Sequence, residues 1–276
     1  MDWEIYETTS LSEIPVRFSS VQAQGRDDPP QRDPTPERLN PGVNAAKFGD
    51  AMKPMSEKHL AILRRHMVEL VEIQMDLMSD ELGKNALDER VAAALRDVPR
   101  HLFVPAQLAA LAYEDTPLPI GFDKTISQPF VAALMIDLLA PQPDESVLEV
   151  GTGLGYQAAV LARLARRVWS VEIVEEFASA AESRLQQLGL TNVAIRVGDG
   201  SRGWPEHAPF DKILVTAAAR QVPTLLVEQL SAGGCLVIPI GPAEAQQLTV
   251  VRKHLAGRID AREVLRVRFT RLETGQ

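Results

Sequence analysis

Between Ser56 and Leu139 the apolar residues recur three and four apart, whereas from Val147 onward they come in short runs divided by polar or glycine-rich turns. The first spacing predicts helices, and the second predicts strands alternating with helices. Leu60, Leu63, Met67, Leu70 and Val71 put one apolar face on a helix over Ser56 to Met78, with Ser56 as its N-cap. Leu87, Val91, Leu95 and Val98 do the same on a second helix that Pro99 ends, and Val104 to Tyr113 makes a third. These three are expected to cap a sheet. Leu118 to Pro129 reads as a loop feeding a fourth helix, whose face is Phe130, Val131, Leu134, Met135, Leu138 and Leu139. Strands are predicted at Val147 to Val150, Val168 to Val171, Val193 to Val197, Phe210 to Val215 and Cys235 to Pro239. Helices are predicted between them at Gln157 to Arg166, Glu175 to Leu188 and Gln221 to Leu230. Leu248 to Val251 and Val264 to Phe269 read as a closing antiparallel pair. This alternation predicts a three-layer α/β fold with a mostly parallel sheet.

The first strand runs into Gly151, Thr152, Gly153, Leu154, Gly155 and Tyr156. Glycines at alternate positions strip the Cβ atoms from one edge of the turn, so its backbone N–H groups can approach a ligand closely. The third glycine comes one residue too early for a dinucleotide fingerprint. Glu149, inside the strand, would repel a diphosphate but could hold an ammonium group or a water. S-adenosylmethionine, with a sulfonium, an ammonium and no phosphate, meets these demands; a plain strand-to-helix turn meets the glycine pattern equally. Glu172 ends the second strand roughly 20 residues on, where an acidic side chain can take ribose hydroxyls. Asp199, between Gly198 and Gly200 at the third strand end, can bond an adenine edge or simply form a turn. Open α/β sheets bind ligands at the carboxyl ends of their strands, where all three groups fall.

Ahead of the fourth helix, Ser127 has N-cap chemistry and Pro129 suits a first turn. Ser127 therefore either caps the helix or, with free N–H groups at the helix start, holds a carboxylate. Thr216, Ala217 and Ala218 at the exit of the fourth strand leave room for a substrate or for helix packing.

Composition narrows the classes. The 276 residues are 45% hydrophobic, enough for a sizeable core. A formal net charge of −8 with scattered arginines argues against nucleic acid as the main partner. Cys235 is the one cysteine and sits in an apolar run, which suits a buried side chain and a reducing compartment. The opening Met1, Asp2, Trp3, Glu4 shows no secretory signal, and no stretch is apolar enough to span a bilayer, so a cytoplasmic protein is expected. His59, His66, His101, His207 and His254 form no ligand-spaced pair, so no metal site is expected, and no Gly-x-Ser-x-Gly elbow exists.

Thr125-Ile126-Ser127-Gln128-Pro129, Val147 to Tyr156, Gly198-Asp199-Gly200, Phe210-Asp211, Val215 to Ala218 and Pro99-Arg100-His101-Leu102-Phe103-Val104-Pro105 together resemble the protein-L-isoaspartate O-methyltransferase family. The resemblance covers about Leu70 to Leu272. It implies a Rossmann-like methyltransferase fold with antiparallel C-terminal strands and an N-terminal helical cap. It also implies methyl transfer from S-adenosylmethionine to the α-carboxylate of L-isoaspartyl residues in damaged proteins and peptides, with the ester closing to a succinimide. On that resemblance Ser127 is the active-site residue. Glu149, Gly151, Thr152, Gly153, Gly155, Tyr156, Glu172, Asp199 and Gly200 belong to the cofactor site, and Thr125, Ile126, Gln128, Thr216, Ala217 and Ala218 neighbour the substrate. Phe122, Asp123, Lys124 and Arg220 depart from the family pattern beside the expected peptide groove. Two rival readings keep the fold: a carboxyl methyltransferase for another peptide, and a catalytically silent binding module. Residues 1–55, rich in proline and charge over Arg26 to Pro41, are expected to form a disordered or loosely attached extension. Residues 56–276 are expected to be a single domain, with cap and active-site loop over 56–130 and sheet core over 146–276. A monomer is expected.

Overall fold

The sheet is organised around its most deeply buried strand. In a computed structural model of the chain, which describes residues 55–275, Ser146–Val150 (β3) is buried at every position. A strand covered on both faces has no use for polar alternation, so Val147, Leu148 and Val150 all reach a core. Before it in the chain come a hairpin of Leu118–Gly121 (β1) and Lys124–Ile126 (β2), and after it Arg167–Glu172 (β4), Val193–Val197 (β5) and Phe210–Val215 (β6). Leu230–Ile240 (β7), Gln246–Lys253 (β8) and Ile259–Val267 (β9) complete a seven-stranded sheet in the order β5-β4-β3-β6-β7-β8-β9. The first five in that order are parallel, and β8 and β9 are antiparallel. The chain leaves β3 toward β4 on one side and reaches β6 on the other, so the order reverses at β3. That reversal opens a crevice at its carboxyl end.

The helices are Glu57–Leu77 (α1), Ser79–Leu82 (α2), Glu89–Asp97 (α3), Pro129–Leu139 (α4), Tyr156–Ala162 (α5), Glu175–Gln187 (α6) and Thr224–Glu228 (α7). Alternate strand residues feed opposite layers: Leu214 joins the core under α1, α3, α4 and α5, while Ile213 and Val215 join the one that holds Leu226 of α7. Helix α4 is apolar almost all round because it is buried almost all round. Its one carboxylate, Asp137, is satisfied by the Lys84 ammonium at 2.5 Å and the Asp88 amide at 2.8 Å.

Several elements differ from the periodicity. Ser56 caps α1 as expected, but the buried face is Leu60, Met67, Val68, Val71 and Met75, and Leu70 lies half exposed. The third cap helix is not an α-helix; Ala106–Leu111 winds as a 3-10 turn with no buried residue, so no tertiary packing supports a longer helix. Pro223 confines the last helix to α7. The loop at Leu118 to Pro129 contains the β1–β2 hairpin. Phe122 and Asp123 sit at φ 49° and 55°, the positive pair that a two-residue hairpin turn demands. Phe122 finds compensation edge-on to Phe177, with ring centres 5.3 Å apart. The expected extension, residues 1–55, lies outside the described residues apart from Met55.

Candidate active site

The turn after β3 takes left-handed φ values at Gly151, Gly153 and Gly155, of 93°, 54° and 97°. At Gly151 a Cβ would lie 2.3 Å from Thr216 Oγ1, which donates to the carbonyls of Gly151 and Val150 at 2.7 and 3.1 Å. Only glycine lets the β3 and β6 ends close this tightly. Glu172 holds the same turn from the β4 side: its carboxylate accepts the Gly153 amide at 2.7 Å and the Val174 amide at 3.0 Å. Gly200 passes so near Val150 that a Cβ would sit 2.3 Å from its methyl carbon. Asp199 accepts the Ser201 amide and hydroxyl at 2.9 and 2.6 Å on one oxygen, and the Gly275 amide at 3.0 Å on the other.

Two cavities open on this crevice. The smaller, about 80 Å³, is lined by Gly151, Gly153, Glu172, Gly200, Thr216 and Ala217 among others. The larger, about 800 Å³, is lined by Ser127, Gln128 and Phe130 on one wall and by Leu265 to Thr270 on the other. Thr125, Thr216 and Thr270 line both. The C-terminal residues Thr270 to Glu273 roof the smaller cavity, tied down by Lys124 pairing with Glu273 and by backbone bonds of 2.8 Å from Ala218 N–H to Thr270 and from Leu272 N–H to Ala218. With these residues in place the smaller cavity stays below the ~300 Å³ at which small-molecule pockets begin.

The remaining expected residues do not reach either cavity. Ile126 alternates inward from Thr125 into the core, and the Ala218 backbone is engaged by the tail. Thr152 is buried against Ser170, with its hydroxyl 2.6 Å away. Gly155 serves close helix packing, where a Cβ would meet Ala181 at 3.1 Å. Tyr156 lies in the core, edge-on to Phe103 with ring centres 5.8 Å apart. Glu149 is fully buried and accepts the Ser170 hydroxyl on one oxygen; burial pushes its carboxyl up to about 8 against the opposing effect of that bond. Burial thus favours its neutral form, which is not the anion that an ammonium group would seek.

Ser127 is not the cap of α4. The N-cap position is Gln128, without a side-chain cap bond, because a residue far upstream does the work. Asp115 accepts the Phe130 amide at 2.8 Å on one oxygen and the Gln128 and Gln74 side-chain amides, both at 2.7 Å, on the other. Ser127 is thereby free of the cap and lines the larger cavity. Asp115 carried no local spacing signal, lying 15 residues before the amide it caps.

Sheet order, switch point and glycine turn define the class: this is the Rossmann-like fold of S-adenosylmethionine-dependent methyltransferases. Residues 73–276 match the family described as protein-L-isoaspartate(D-aspartate) O-methyltransferase, and the chain belongs to that family. It is 50% identical over 222 residues to protein-L-isoaspartate O-methyltransferase 1 of Polaromonas sp. (strain JS666 / ATCC BAA-500), covering 80% of this chain and 94% of that one. Protein-L-isoaspartate O-methyltransferase 2 of Syntrophobacter fumaroxidans is 51% identical over 213 residues, covering 77% and 86%. A solved protein-L-isoaspartate O-methyltransferase structure superposes with a TM-score of 0.64 at 28% identity, covering 75% of this chain and 65% of that one. The family uses S-adenosylmethionine. The residues here fit that donor: a side-chain-free cradle at Gly151, Gly153 and Gly200, and an acidic group, Glu172, on its wall.

Proposed function

We propose that this protein transfers a methyl group from S-adenosylmethionine to the free α-carboxylate of L-isoaspartyl residues in damaged proteins and peptides, the resulting ester closing to a succinimide as the first step of repair. One observation carries the reading: a donor-side cavity at the glycine turn meets a groove of peptide size at Thr125, Thr216 and Thr270. When bound, the donor supplies an electrophilic methyl carbon whose bond to a cationic sulfur breaks as the carboxylate oxygen attacks, leaving a neutral thioether.

The protein need not supply a base. A carboxylate of pKa about 3.9 is already ionised at neutral pH. What remains is alignment, and well-oriented reactants can lower a barrier by ~7–11 kcal/mol. Ser127 supplies a hydroxyl donor from the groove wall to orient the carboxylate, while the glycine turn and Glu172 keep the donor on the other side of the threonines. Residues 56–276 act as one methyltransferase domain on this reading. We further propose a cytoplasmic monomer without nucleic-acid or membrane partners; the net charge of −8 supports the nucleic-acid part of this, and no helix of the described residues is long and apolar enough to cross a membrane.

The experiment is methyl transfer to an isoaspartyl peptide beside its ordinary aspartyl twin. Only the isoaspartyl peptide is expected to be methylated, and Ser127→Ala is expected to lose about 100-fold in turnover, as removal of an oriented donor does, with product-thioether binding retained. Equal labelling of the two peptides would sink the substrate assignment.

A further inference from the structure

Arg100 stands between the two halves of the site, fully buried, in a segment that the chemistry itself does not use. Its Nε–H donates to the Ala112 carbonyl at 2.7 Å and its Nη2 to the Ser127 carbonyl at 2.6 Å. Its guanidinium carbon lies 4.7 Å from the centre of the Tyr156 ring. Its Nη1 has no hydrogen-bond partner among the described residues. Among those residues it also makes no ion pair within 4.0 Å.

Burying a cation without a paired anion is unfavourable, and an apolar side chain of the same volume would fill the space at less cost. A charge kept under those conditions points to what its bonds hold. The Ser127 carbonyl belongs to a residue that lines the larger cavity, and Tyr156 directly follows the last glycine of the turn beside the smaller one. A planar fork can grip a carbonyl edge-on and lie over a ring at the same time, which an ammonium cannot do.

We propose that Arg100 is a positioning residue that sets the Ser127 loop in register with the glycine turn, so that the acceptor oxygen and the donor methyl meet in line. The proposal rests on the reading of Ser127 as the group that orients the carboxylate. Misplacement by about 1 Å far from the chemistry can cost 10²-fold in rate, so the effect belongs in turnover rather than in binding.

The test uses the full chain with Arg100→Lys, Ser127→Ala and the double variant, assayed with an isoaspartyl peptide at a temperature where each is folded. Arg100→Lys is expected to lower kcat about tenfold or more, with the peptide KM and the calorimetric dissociation constant of S-adenosylhomocysteine within threefold of wild type. Because Arg100 acts through Ser127, the double variant should turn over no more slowly than Ser127→Ala alone. Unchanged kcat in Arg100→Lys, or losses that multiply in the double variant, would overturn the proposal. If Arg100→Lys does not fold, Arg100→Met carries the same comparison, and failure of both to fold assigns Arg100 to folding and overturns it equally. Ser127→Ala at full turnover would instead sink the Ser127 reading, whereas an impaired Ser127→Ala beside a fully active Arg100→Lys would sink this inference only.

Discussion

The two sides of the crevice, proposed above to hold donor and acceptor, are built by opposite means. On the donor side, the turn after β3 is held by backbone and by neighbours in the same sheet: Glu172 grips Gly153 and Val174, and Thr216 grips Gly151. On the acceptor side, Ser127 and the start of α4 are held by side chains from distant segments: Asp115 on Phe130, and Arg100 on the Ser127 carbonyl. A turn fixed by adjacent strands tolerates little change at its glycines and much elsewhere. A loop held by remote side chains can be loosened without touching the donor.

The largest effect expected from this contrast falls on Gly151→Ala. A left-handed conformation costs a non-glycine residue about 1–2 kcal/mol, and the added Cβ meets Thr216 Oγ1 besides. Titration calorimetry with S-adenosylhomocysteine should show affinity weakened by at least about tenfold, and wild-type affinity would break the donor half of the comparison. Asp115→Ala comes next. It removes one cap bond and two side-chain amide bonds and should lower stability by about 2 kcal/mol in urea unfolding. Turnover with an isoaspartyl peptide should fall while S-adenosylhomocysteine binds as before; loss of both together would mean that the halves are not separately held.

Glu149→Gln sharpens the donor side through pH. The Glu149 carboxyl rises from an ordinary 4.5 to about 8 on folding, so between those values the folded chain holds a proton that the unfolded chain has released. Stability from this group is complete below about 4.5 and is lost as pH rises toward 8. The glutamine variant mimics the protonated form and should match wild type in melting temperature at pH 4 and exceed it at pH 9. A constant difference across that range would remove the buried proton. Smallest is Lys124→Ala, which frees Glu273 and loosens the roof of the donor cavity. A partly exposed ion pair contributes no more than about 1 kcal/mol, so the melting temperature should move little, and 0.5 M salt should erase the difference. Entry of S-adenosylhomocysteine, followed by stopped flow, should quicken.

The donor side was the more legible from residue order for the same reason that it is rigid. Each β-strand end carries its own polar group, and spacing alone places Gly151, Glu172 and Gly200 at one rim. The acceptor side was less so. Ser127 has cap chemistry and a proline two residues on, yet Asp115 takes the cap and changes what the serine is free to do. Local propensity cannot see a carboxylate that arrives through tertiary packing. Glu149 shows the same limit from the other direction: beside a glycine motif it reads as a ligand-facing anion, whereas burial at 0% exposure raises its carboxyl and favours the neutral form.

What residue order determined by itself was the alternation of strand and helix, the mostly parallel sheet and the place of the glycine turn, because periodicity and backbone permissiveness are local properties. Tertiary structure alone decided which charges are buried, that Ser127 lines the groove without capping α4, and what covers the smaller cavity. Those depend on burial and on partners far apart in the chain, and only the closed fold brings Arg100 and Asp115 to the segment of Ser127 and Phe130 and lays the C-terminal residues across the crevice.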